Sequence, residues 1–121
     1  MTAKSEDSMR KLKNVIGYIE QNYATLITLD MMSKIAYMSP NYFCHYFRKE
    51  TGKSPLTFIN EYRIQKAAQM LSETDLQISQ IAQSVGFDNF SYFIRKFREY
   101  KSITPKEYRN IWRTQSNENE P

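Results

Sequence analysis

The run Ser39-Pro40-Asn41-Tyr42-Phe43-Cys44-His45-Tyr46-Phe47-Arg48 returns fifty positions later as Asn89-Phe90-Ser91-Tyr92-Phe93-Ile94-Arg95-Lys96-Phe97-Arg98. Tyr, Phe, Phe and Arg coincide at that offset, and Pro55 recurs as Pro105. Upstream, Leu29, Met32, Ala36 and Met38 answer Ile78, Ile81, Val85 and Phe87 at an offset of forty-nine, so the second copy holds one extra residue, near Asp88, in its turn. Whatever this chain folds into, it must form the same small unit twice, burying the same apolar positions each time.

With 121 residues, there is room for one domain or two very small lobes. Only 3 Gly and 4 Pro, against abundant Leu, Ile, Met, Lys and Gln, favour helix. The single Cys44 excludes an internal disulfide and fits a reducing cytoplasm. No apolar run approaches the roughly 20 residues that a membrane helix needs. The net charge is +4, but the ends are acidic; segment 9–114 holds 16 basic and 9 acidic residues, or +7. A compact basic segment suits a polyanion such as nucleic acid.

Start and stop signals divide the chain into seven helices, with no convincing strand. Residues 1–8 are polar and aperiodic and read as a disordered tag or linker. Apolar positions 9, 12, 15–16, 19 and 23 predict an amphipathic helix to about Tyr23. Thr28 is a candidate N-cap for a short helix to about Ala36, and Ser39-Pro40 starts another that Gly52 stops. Ser54-Pro55 opens the longest helix, to about Leu71 or Ser72. Short helices are expected at about Ile78–Val85 and Asn89–Tyr100. Thr104-Pro105-Lys106-Glu107 is a capping box opening a last helix to about Trp112. Residues 114–121 have no apolar residue and read as a disordered tail. The expected fold is all-α: one helix-turn-helix lobe over 9–52, a linker helix over 53–72 and a second lobe over 73–113.

A short helix, a tight turn and a helix of about a dozen residues form a helix-turn-helix. Phe43 and Phe47, like Phe93 and Phe97, are four apart and must bury against Met32 and Ala36, or Ile81 and Val85. That fixes the outward faces as Asn41, His45 and Arg48 in one copy, and Ser91, Arg95 and Arg98 in the other. Arginine can bind guanine O6 and N7 with two hydrogen bonds, and asparagine can do the same with adenine N6 and N7. Arg48, Lys49, Lys96 and Arg98 lie further along or to the side, where phosphates pass. The long helix, about 18 residues, spans roughly 27 Å. That length, with the breadth of its flanking units, suits two reading helices set ~34 Å apart, one turn of B-DNA.

Residues 81–98 (Ile81-Ala82-Gln83-Ser84-Val85-Gly86-Phe87 through Arg98), with Thr104-Pro105-Lys106-Glu107-Tyr108-Arg109, resemble the AraC/XylS family of bacterial transcription regulators. Phe47-Arg48-Lys49-Glu50-Thr51-Gly52, Ser54-Pro55 and Arg63-Ile64 with Ala67, Met70 and Leu71 are similar to that family's pattern as well. The resemblance covers about residues 9–112. It implies two helix-turn-helix lobes bridged by a long helix, binding double-stranded promoter DNA and contacting RNA polymerase. It also implies base contacts at Asn41, Cys44, His45, Phe90, Ser91, Ile94 and Arg95. No cofactor is expected. Most members carry an N-terminal effector or dimerisation domain, so the chain matches either a C-terminal domain or a small single-domain member. Two departures stand out. Tyr37 occupies a turn position where the family often has glycine, so a left-handed residue there would be strained. Tyr100-Lys101-Ser102 lacks the usual glycine at the end of the second unit.

Other readings fit some of these residues. Tyr42 and Tyr92 are expected to pack rather than to touch bases. Cys44 and His45 are adjacent, so on a helix they diverge by ~100° and make a poor metal or nucleophile pair. Arg63 and Arg109 suit ion pairing with a carboxylate such as Glu61 or Glu107 as well as phosphate contact. As a whole, the chain could instead be a helical module docking on RNA polymerase, with Phe90 and Ile94 decisive, or an architectural DNA-bending protein. An enzyme finds no support: there is no catalytic constellation and no phosphate-cradling glycine loop.

Overall fold

The computed structural model describes the backbone of residues 3–118 and the side chains of residues 6–113. Seven helices make up the described residues: α1 (Ala3–Asn22), α2 (Leu29–Ile35), α3 (Pro40–Thr51), α4 (Pro55–Glu73), α5 (Ile78–Ser84), α6 (Phe90–Lys101) and α7 (Pro105–Glu118). The chain forms two compact units, residues 1–59 and 60–121.

Local chemistry sets the helix starts. The Thr28 hydroxyl accepts from the Met31 N–H at 3.2 Å, and the Ser39 hydroxyl accepts from the Tyr42 N–H at 3.3 Å. Ser54 does the same for Thr57 at 3.2 Å. Each hydroxyl satisfies one of the N–H groups that a helix start leaves without a partner. At α7 the capping box is complete. Glu107 Oε1 accepts from the Thr104 N–H at 2.9 Å, and the Thr104 hydroxyl accepts from the Glu107 N–H at 3.1 Å. Gln77 and Gln80 form a second capping box at α5.

In the first unit, Phe43 and Phe47 are fully buried with Val15, Ile19, Met32, Ala36, Tyr46 and Ile59. Their rings lie 5.5 Å apart, and Phe58 meets Phe47 edge-on at 5.4 Å. The second unit repeats the plan. Phe93 and Phe97 are fully buried, as are Ile81 and Val85, and Tyr108 meets Phe97 edge-on at 5.6 Å. The shared residues of the repeat are therefore its interior, as their spacing requires.

Both copies use a left-handed residue at the same two places. In the turn it is Tyr37 (φ 56°) in the first copy and Gly86 (φ 104°) in the second. At the end of the second helix it is Gly52 (φ 79°) and then Ser102 (φ 70°). Each pair holds one glycine and one residue with a Cβ that disfavours this conformation. The Ser102 N–H nevertheless donates to the Arg98 carbonyl at 2.8 Å, as the Gly52 N–H does to that of Arg48. The helix stop survives the loss of glycine.

Two expectations need correction. Helix α1 begins at Ala3 rather than near Met9, because Asp7 pairs with Arg10 and Lys11 one turn on and the Ser8 carbonyl accepts from the Tyr46 hydroxyl. Helix α7 continues to Glu118 instead of stopping near Trp112. Of the expected disordered ends, residues 1–2 and 119–121 lie outside the described residues. The long helix α4 joins the two units, and the division between them falls inside it, with buried Ile59 on one side and buried Ile64, Ala67, Ala68 and Leu71 on the other.

Candidate nucleic-acid interface

Burying the paired phenylalanines turns the opposite face of each second helix outward. On α3 this exposes Asn41, His45, Arg48 and Lys49. On α6 it exposes Ser91, Arg95 and Arg98, with Phe90 still 46% exposed. Each face carries hydrogen-bonding groups in its first turns and cations in its last, where Arg48 and Lys49, or Arg98 and Lys101, also complement the helix dipole.

The remaining candidates are half-buried. Cys44 lines an apolar hollow of about 270 Å³ with Ile27, Leu29, Met32, Pro55, Leu56 and Ile59, so much of its thiol surface meets hydrocarbon. Ile94 lies at the margin of the second core. Phe90 stacks on Phe93 at 6.2 Å while keeping an open edge. Lys96 is engaged on its own helix: its ammonium donates to Glu99 at 3.2 Å and stands 5.5 Å over the Tyr92 ring. Glu99 holds that ammonium above its ordinary pKa, so it stays charged.

Tyr42 and Tyr92 match in the repeat but do different jobs. Tyr92 is packed, with Phe87 at 6.1 Å and its hydroxyl accepting from Asn60 Nδ2 at 2.9 Å. Tyr42 is 62% exposed and lines an open recess with Tyr37, Met38 and Lys11, against the expectation of packing. The two arginines weighed for ion pairing or phosphate contact differ in their surroundings. Arg109 donates to main-chain carbonyls, from Nε to Leu71 and from Nη2 to Thr74, both at 3.1 Å. Arg63 lies 5.9 Å over the Phe87 ring, and burial lowers its pKa. Among the described residues no His, Cys, Asp and Glu cluster could hold a metal ion, and no helix is long and apolar enough to cross a membrane.

Residues 32–111 match a family model described as a helix-turn-helix domain. The structure is similar to that of an AraC-type transcriptional regulator from Chromobacterium violaceum, at 27% identity and a TM-score of 0.80, over 87% of this chain and 94% of that one. The chain belongs to the AraC/XylS family. Its fellow members are transcription regulators that bind DNA, and the family is not one of enzymes. Among AraC/XylS relatives, the uncharacterised regulator YdeC of Bacillus subtilis is 32% identical over 101 residues, 84% of this chain but 35% of that protein. The chain thus spans about a third of that relative's length. The DNA-binding domain of AdpA, a global transcriptional factor solved with a target DNA, is 26% identical with a TM-score of 0.79, over 86% and 94% of the two chains.

Proposed function

We propose that this chain binds double-stranded promoter DNA sequence-specifically. In this reading α3 and α6 each enter a major groove, and the two grooves are successive ones of an asymmetric site. The observation that carries it is the contrast within the repeat: buried residues are shared, while the exposed Asn41 and His45 are replaced by Ser91 and Arg95. Two alike scaffolds with unlike polar faces suit two half-sites of different sequence. Base contacts are assigned to Asn41, Cys44, His45, Phe90, Ser91, Ile94 and Arg95. Phosphate contacts are assigned to Arg48, Lys49, Lys96 and Arg98, with Lys96 releasing Glu99 to reach one. The solved complex of AdpA with its target DNA supports the partner class.

RNA polymerase is the proposed protein partner, in the bacterial cytoplasm. The greater length of YdeC supports a further effector or dimerisation domain in the whole protein. Selection of duplexes from a random pool, followed by anisotropy titration at two salt concentrations, tests the reading. One recovered asymmetric site, bound by the monomer with protection of two adjacent grooves, is expected. Binding that favours no sequence and simply weakens with salt would overturn it.

A further inference from the structure

Ser33 and Asn60 are the buried polar residues of the described core. Ser33 bonds within its own turn, to the Asp30 carbonyl. Asn60, 3% exposed on α4, reaches across to α6 and donates Nδ2 to the Tyr92 hydroxyl at 2.9 Å. An amide buried among apolar side chains is costly unless it is hydrogen-bonded, so this contact ties the Tyr92 ring to one orientation. The Arg95 guanidinium stands 5.5 Å from the centre of that ring, one turn further along α6. Asn60, Tyr92 and Arg95 thus run from the interior of the unit to its exposed face.

We infer that Asn60 and Tyr92 are positioning residues for sequence readout, holding the Arg95 guanidinium in place before DNA arrives. The inference rests on the proposed reading of a base by Arg95. An arginine reaching a guanine edge must present its planar fork in one orientation, and its long side chain otherwise samples many. A guanidinium already resting on a fixed ring loses less freedom on binding. The first copy is built differently, since Tyr42 is largely exposed and His45 stands where Arg95 does. The half-site read by α6 is therefore the more stringent of the two.

The test measures affinities for the selected duplex and for variants altered at every position, with Arg95→Ala marking the position that Arg95 reads. Tyr92→Leu is expected to cut discrimination there about fivefold and to leave it unchanged elsewhere. In the Arg95→Ala background Tyr92→Leu should change nothing further at that position. A residue that merely stabilised the fold would weaken all duplexes alike in both backgrounds. The double variant Asn60→Leu, Tyr92→Phe removes both polar partners and keeps the ring, so it should stay folded if Tyr92→Leu does not. It should lose discrimination about twofold at the same position. Full discrimination in a folded Tyr92→Leu protein, or in the double variant when that protein does not fold, overturns the inference while leaving readout by Arg95 intact. Absence of any sequence preference in the unaltered protein overturns both.

Discussion

Arg109 Nε donates to the Leu71 carbonyl at 3.1 Å, so the last helix closes the end of α4. A second bond from Nη2 takes the Thr74 carbonyl. The carbonyls at a helix C-terminus lack partners within the helix, and a guanidinium supplies two donors in a fixed fork. Arg109→Ala should destabilise the second unit by about 2 kcal/mol. Arg109→Lys should recover less than half of this, because one ammonium cannot reproduce the fork. Urea unfolding followed by circular dichroism measures both, and an unchanged midpoint for Arg109→Ala would refute the capping role.

The two non-glycine left-handed residues predict stabilising changes. Tyr37 is 86% exposed, so little packing is lost when it is replaced. Relief of a cost of ~1–2 kcal/mol, offset by the greater freedom of glycine in the unfolded chain, should leave Tyr37→Gly about 0.5–1 kcal/mol more stable. Ser102→Gly should act in the same direction.

The reverse change tests the same argument. A Cβ built at Gly52 meets nothing within 4 Å, so Gly52→Ala costs only backbone strain. Its expected loss is about 1 kcal/mol. Thermal melts that show no loss would remove the argument from matched turns.

Acid should loosen the start of α7. The Thr104 N–H and hydroxyl hold the Glu107 carboxyl below the usual carboxylate range. A depressed folded value means that the contribution is present above the unfolded pKa, roughly 4.3, and is lost as pH falls through the folded value. The stability gap between the unaltered chain and Glu107→Gln, which keeps a capping side chain without the charge, should therefore exist at pH 7 and shrink below pH 4. A constant gap across that range would show that the charge is not involved.

Readout and attraction should separate by residue. Arg95→Ala is expected to cost ~1–3 kcal/mol on the selected site and to relax preference at one position. Arg98→Ala should weaken every duplex alike and reduce the salt slope by about 1. Competition titrations distinguish these outcomes, and an Arg95→Ala protein with its sequence preference intact would displace the reading face from α6.

Wherever a short-range signal was decisive, the fold was legible in advance. Thr28, Ser39 and Thr104 announce helix starts because their caps act within three residues. The phenylalanine pairs announce the interior because the repeat presents the same spacing twice. Contacts distant in sequence were not legible. The Asn60 bond to Tyr92 spans 32 residues and that of Arg109 to Leu71 spans 38. No local pattern separates packed Tyr92 from exposed Tyr42, since the difference lies in what other helices bring against the ring. The outward faces followed directly from the buried ones, whereas the half-burial of Cys44 depends on α4 closing one side of its hollow.

Unlike faces on alike cores make the two units of the molecule inequivalent. If α3 and α6 read bases as proposed, a molecule turned end for end on a duplex would set Arg95 against bases suited to Asn41 and His45. A two-fold symmetric dimer would read the same in either direction, whereas this chain, on the proposed reading, would not. Bound to its site, it would point one way along the DNA, and a single copy would be enough to tell upstream from downstream.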